Sequence, residues 1–188
     1  MKKLLIFGPF FLVLAAAAGA RLVDVRDDLA AQRQSIQTQW TRVAAALQAR
    51  ADLLPGLADT VQRLTGSPAD ASAATAAARA DLARGRTPEQ KIEANGRLSA
   101  VLSRLLLMAE NHPHLRASRE FQRIGDDVAA ADNRIAIERR KYNEILEHYN
   151  AQIQRFPDNV VASLSGFTRN DAYFRTDGST RAAPKERF

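Results

Sequence analysis

His112 and His114 flank Pro113 in "ENHPHL", with Glu110 just ahead, while the third histidine, His148, lies far along the chain. Imidazole and carboxylate are the ligands of zinc and related metals, but such a site needs a third and fourth donor brought in by the fold. These histidines are expected as exposed loop residues, and no metal is assigned. Asp126 and Asp127 resemble the paired carboxylates that share a proton, yet consecutive residues on a helix point about 100° apart. They are expected at the surface. Ser163, Ser165 and Ser179 have neither a G-x-S-x-G elbow nor a placed base, and no glycine-rich phosphate loop is present. Arg134, Arg139, Arg140 and Lys141 stand with Tyr142 and Tyr149, a mixture that can take phosphates or stacked bases. Both tyrosines also fall on an apolar stripe, which makes them core and leaves the cations to pair with Asp and Glu. Nucleic acid is not expected as a partner. Asn143 and Asn150, beside those tyrosines, are expected to hydrogen-bond across helices and fix their register. No catalytic, cofactor or metal residue is assigned, and the chain is read as non-enzymatic.

The elements that carry these residues are helical. Of 188 residues 46% are hydrophobic but only 6% aromatic, glycine is sparse at 9, and Ala, Leu, Arg and Gln fill long stretches. One all-α domain is the reading. The absence of cysteine excludes a disulfide framework, a thiolate nucleophile and a zinc–thiolate site. The formal charge of +6 is mostly arginine, alternating with Asp and Glu along amphipathic helices, so it reads as a solvated surface rather than a dedicated polyanion site.

"MKKLLIFGPFFLVLAAAAGARL" opens with Lys2 and Lys3, runs apolar from Leu4 to Ala20, and closes on small residues before Arg21. A bilayer needs about 17 to 25 apolar residues, so residues 1–21 read as an N-terminal transmembrane anchor, with a cleavable signal peptide as the alternative. Two lysines held inside place everything after Arg21 outside the cytoplasm.

Beyond the anchor, Leu22, Val25, Leu29, Ile36, Trp40, Val43 and Leu47 share one stripe of a helix from Leu22 to Leu64, and Arg50 recurs three residues after Leu47 in the same phase. Pro55 and Gly56 interrupt it, but Leu54, Leu57, Val61 and Leu64 keep the phase, which predicts one helix kinked near Ala51 to Pro55 rather than a corner. Thr65 to Pro68 form a turn, and an alanine-rich helix covers Ala69 to Arg84. Thr87, Pro88 and Gln90 then form a capping-box start. The third helix turns Ile92, Leu98, Val101, Leu102, Leu105, Leu106 and Ala109 inward. Pro113 ends it. A last long helix runs from about Pro113 or Leu115 to Phe156 with Phe121, Ile124, Val128, Ala131, Ile135, Tyr142, Ile145, Tyr149 and Ile153 inward, and Val160, Val161, Leu164 and Phe167 suit a short docking helix. Residues 168–188 read as a polar, flexible tail. Four helices on short connections imply an elongated antiparallel four-helix bundle over residues 22–167 with long first and last helices. Its Gly66 to Pro68 and Asn111 to His114 loops lie at the far tip, about 60 Å out at ~1.5 Å per residue. Val160 to Phe167 and the tail with Arg169, Arg175, Arg181 and Lys185 lie beside the headgroups.

"LQARADLLPGLADTV", the pair Ala78-Arg79, "AENHPHLRAS", the long stretch "ADNRIAIERRKYNEILEHYNAQIQRFPDNVVASLSGF" and the closing Tyr173-Phe174 together resemble the LemA family of bacterial membrane-anchored proteins. The resemblance covers nearly the whole chain. It departs at Gly56, where the family commonly has Asn, and at His112, where it commonly has Tyr before the proline. It implies an N-terminal membrane helix and a long helical bundle, and it brings no catalytic residues. The expectation is therefore a single-pass scaffold of the inner membrane, N-terminus cytoplasmic and bundle periplasmic. Its partners would be the lipid bilayer, other envelope or membrane proteins, or further copies of itself. The alternative is a binder of anionic lipid or polymer through Arg-rich helix faces.

Overall fold

The computed structural model describes residues 4–66 and 70–174, with side chains at 19–66 and 71–174. Among the described residues it is all-helical, and the order is α1 (Leu4–Thr65), α2 (Asp70–Arg84), α3 (Pro88–Glu110), α4 (Pro113–Arg116), α5 (Arg119–Gln152) and α6 (Asp158–Leu164). Over the residues described with their side chains no helix is long and apolar enough to cross a membrane. The anchor expected over residues 1–21 falls mainly on positions whose side chains lie outside the described ones.

Contacts divide the chain into two compact units, one made of Met1–Thr38 and Asn143–Asp171, the other of Gln39–Tyr142 and Ala172–Phe188. In the second unit α1 passes unbroken through Pro55, so there is no corner there. Thr60 bonds the Gly56 carbonyl from Oγ1 at 2.8 Å. A side chain at Gly56 would meet only Ile124 Cδ1, at 3.7 Å, so the glycine answers to no close approach. The helix ends where Gly66 adopts φ 63 and returns its N–H to the Gln62 carbonyl, a conformation favourable only to glycine. Residues 67–69 of the expected tip loop lie outside the described ones.

Thr87 starts α3 as expected: its hydroxyl accepts from Gln90 N at 3.3 Å, and Gln90 Oε1 accepts from Thr87 N at 3.3 Å. Contacts from α1 run in reverse order along α2 (Asp52 with Arg79, Gln62 with Ser72) and along α5 (Gln39 with Glu138, Arg63 with Glu120), which makes both pairs antiparallel. Leu57, Ala58, Val61, Leu102, Leu105, Ala109, Leu115, Phe121, Ile124 and Val128 close one apolar cluster from α1, α3, α4 and α5.

The last long helix departs from expectation at both ends. Pro113 starts a single turn, α4, and Ser118 then starts α5 by accepting from Phe121 N at 3.4 Å. At the other end α5 stops at Gln152, short of Phe156. Burial shifts too: Leu146 is fully buried while Ile145 is partly so, and Leu22, Leu64 and Leu106, expected inward, are exposed.

In the first unit α6 ends in a Schellman motif, with Gly166 at φ 73 and Phe167 N donating to the Ala162 carbonyl at 2.9 Å. The docking face differs from the expected one: Val161 and Ala162 are buried, Phe167 is half-buried, and Val160 and Leu164 are exposed.

Candidate functional site

His112 lies against the α3 end, its Nδ1 2.8 Å from the Met108 carbonyl, His114 is exposed, and His148 Nδ1 is 3.3 Å from Gln32 Oε1. No group of three or more His, Cys, Asp or Glu side chains arranged for a metal occurs among the described residues. Asp126 and Asp127 are exposed, the latter 3.8 Å from Arg123 on its own helix. Ser163 and Ser165 are exposed, and Ser179 lies outside the described residues. A surface hollow of about 430 Å³ in the first unit, lined by Ala30, Arg33, Gln34, Gln37 and Phe167, holds no acid–base or nucleophile pair.

The residues that do converge were read as helix pattern. Arg50 continues the α1 stripe of Val43 and Leu47, so it must enter the core of the second unit, where its side chain is 6% exposed. A buried guanidinium requires a counter-charge and full use of its donors. Asp132 of α5 supplies the charge at 2.7 Å from Nη1, and Nη2 donates to Ser99 Oγ at 3.0 Å and to Asn95 Oδ1, both on α3. Its Nε is buried without a partner. One planar fork thus joins three helices, a task a lysine ammonium cannot reproduce. Nearby, Arg79 of α2 reaches Asp52 of α1 at 2.9 Å. Gln39, also buried, donates to Glu138 Oε2 at 2.6 Å.

Aromatic side chains form the second convergence in that unit. Trp40 and Tyr142 lie 5.5 Å apart between ring centres, and Phe174 joins them at 6.0 and 6.2 Å. Arg139 stands 4.8 Å over the Phe174 ring. Tyr142 has its hydroxyl buried without a partner. Burial, then the charges of Glu89 and Tyr173, push its pKa up to about 12.

Two side chains of the first unit reach for backbone instead. Tyr149 donates its hydroxyl to the Thr168 carbonyl at 3.0 Å; its pKa is raised by burial, opposed by Arg33. Asn150 gives Nδ2 to the Asn170 carbonyl at 2.6 Å and takes the Asn170 N–H on Oδ1 at 2.9 Å. Asn150 therefore fastens the chain after α6. Part of the segment expected as a polar, flexible tail, Thr168 to Phe174, packs against the helices. Ala172 and Phe174 are buried, and Arg169 pairs with Asp171 at 2.5 Å, while Arg175, Arg181 and Lys185 lie outside the described residues. The aromatic pair Tyr173-Phe174 was the signal that this segment packs.

Both tyrosines of the basic-aromatic stretch are core, as expected, so neither is available for stacking on a base. Arg134, Arg140 and Lys141 are exposed. Among the described residues these contacts hold helices together and fasten the segment from Thr168 to Phe174.

The chain is 29% identical over 82 residues to magnetosome protein MamQ 2 of Paramagnetospirillum magneticum, a match covering 44% of this chain and 30% of that protein. It is 26% identical over 76 residues to magnetosome protein MamQ of Magnetospirillum gryphiswaldense, covering 40% and 28%. The matched region thus spans under a third of these relatives' length. The sequence profile of the LemA family matches residues 39–188, which takes in the Arg50 fork, the aromatic cluster and the segment after α6: the chain belongs to the LemA family.

Proposed function

We propose that the chain is a non-enzymatic, membrane-anchored helical scaffold of the bacterial inner membrane, N-terminus cytoplasmic and bundle periplasmic, which engages other envelope proteins or further copies of itself. The observation that carries this reading is the continuity of α1 from Leu4 to Thr65. The apolar run Leu4 to Ala20 belongs to the same helix as Val25, Leu29 and Leu47 of the buried stripe, as a retained anchor requires. Lys2 and Lys3 set the orientation. The polar groups that converge inside the protein are engaged in holding it, which favours a surface role over a reaction. The matched relatives are named for the magnetosome rather than for a reaction.

A reporter fused after Phe188, combined with membrane fractionation, tests the reading. An extracytoplasmic signal that stays with the membrane is expected. A cytoplasmic signal overturns the topology, and a soluble product shortened by about twenty residues replaces the anchor with a cleaved signal. Exposed Arg134, Arg140 and Lys141 keep a polyanion reading open to the same protein: binding to anionic polymer that falls steeply with added salt would favour it over scaffolding.

A further inference from the structure

We infer that Phe156, Val160 and Leu164 form an apolar ridge that enters the interfacial layer of the bilayer beside the anchor; this rests on the anchored reading above. Helix α6 is built in an unusual sense. Its seven residues bury Val161 and the small Ala162, while Val160 is 46% exposed, Leu164 80%, and Phe156 in the preceding turn 79%. Val160 and Leu164 are four apart and share a helix face. They are held outward by a fastened scaffold: the Schellman closure at Gly166, Tyr149 on Thr168 and Asn150 on Asn170 fix the chain on α6's far side.

Position within the first unit selects the bilayer as the occupant. Gln152, the last residue of α5, donates to Asp28 of α1 at 2.9 Å, and His148, one turn earlier, faces Gln32. The end of α5 therefore travels toward Arg21, and the turn at residues 153–157 follows beyond Asp28. From Ala20, where the apolar run stops, to Asp28 the helix rises about 12 Å at ~1.5 Å per residue. An interfacial apolar face sinks about 5–10 Å into the headgroup boundary, and the turn that carries Phe156, beyond Asp28 on the side of Arg21, brings that end of the ridge nearest the layer. A second copy is a poorer fit. Three side chains, the aromatic one contributing at most about 250 Å², fall short of the roughly 800 Å² per partner of a stable protein interface. Arg155 and Asp158 border the ridge with opposite charges, so insertion follows apolar burial and not lipid charge.

The cysteine-free full-length chain permits a direct test. Nitroxide labels at Leu164→Cys, Val160→Cys and Gln122→Cys are read in vesicles of phosphatidylcholine and of phosphatidylcholine with phosphatidylglycerol, using oxygen and a water-soluble nickel chelate as relaxants. At 160 and 164 oxygen should dominate in both lipids, and at 122 the nickel reagent should. Adding Phe156→Ser to the 160 label should abolish its oxygen preference while leaving the thermal unfolding midpoint unchanged. Vesicle-bound protein whose 164 label prefers nickel overturns the ridge and leaves the anchor standing. Labels shielded from both reagents with spin–spin broadening replace the bilayer with a second copy and overturn it as well. Protein that fails to float with the vesicles overturns the anchored reading, and the ridge with it.

Discussion

The two compact units solve burial in different ways. In the unit of Gln39–Tyr142 four helices surround the axis, and Leu57, Val61, Leu102, Leu105 and Phe121 meet without a polar atom among their side chains. In the unit of Met1–Thr38 and Asn143–Asp171 only the first part of α1 and the last part of α5 are long. There Val25, Leu29 and Leu146 are buried, but the wall is completed by the chain after α6, fixed through Tyr149 and Asn150. Two helices leave their facing stripes open on two sides. Where helices are few, side-chain hydrogen bonds to backbone take over the positioning that apolar packing performs where helices are many.

Leu57→Ala strikes the apolar side of this contrast and should have the largest effect. The side chain is fully buried in the cluster, and its removal leaves a cavity that packed helices cannot collapse. A loss of about 4 kcal/mol in urea unfolding is expected. A loss under about 1 kcal/mol would mean that the four-helix unit does not rest on this cluster. Arg50→Ala comes next, at about 3 kcal/mol, because it leaves Asn95 and Ser99 without their donor and Asp132 without its charge partner. Asp132, at 44% side-chain exposure, regains water and keeps the cost from rising further. Arg50→Lys should recover less than half of the loss, since one ammonium cannot serve α3 and α5 together.

Asn150→Ala addresses the other unit and should cost about 2 kcal/mol at most, because Asn170 is only half-buried and its backbone can turn to water. Its effect should be local. Hydrogen exchange at the Asn170 amide should accelerate well before global unfolding, while amides of α3 keep their protection. Equal loosening of both regions would erase the distinction between them.

How much of this was legible in the sequence follows the same divide. Helix starts set by local chemistry were readable, as at Thr87 and Gln90, and so were the buried stripe of α1 and its passage through Pro55. The Arg50 fork was half legible. Periodicity put a cation on an apolar face, but only the fold brings Asn95, Ser99 and Asp132 to it from positions distant in the chain. Thr168 to Phe174 were misread, because a polar segment without periodicity packs through single contacts, Asn170 and Phe174, that composition averages away. On α6 the short helix was legible, but its docking face was not, because period alone cannot say whether a face looks inward or out.

The smallest expected effect, at neutral pH, is that of Tyr142→Phe, and it tests the aromatic cluster that Phe174 joins. The Tyr142 hydroxyl is buried with no partner, so its removal should leave stability unchanged or raise it by about 1 kcal/mol. Alkali separates the two proteins. Burial raises the folded pKa to about 12, above the ordinary 10.0, so the folded protein holds this proton more tightly than the unfolded chain does. The stabilisation is complete below pH 10.0 and is lost as pH rises toward about 12. Across that window the native protein should lose stability with a limiting slope of about 1.4 kcal/mol per pH unit for this one group, and Tyr142→Phe should remove that share. A shallower slope should persist in the variant, because burial raises Tyr149 in the same direction. An unchanged alkaline slope, or a loss above about 1 kcal/mol at pH 7, would show that the hydroxyl is solvated or bonded and that the cluster around Trp40 is open to water.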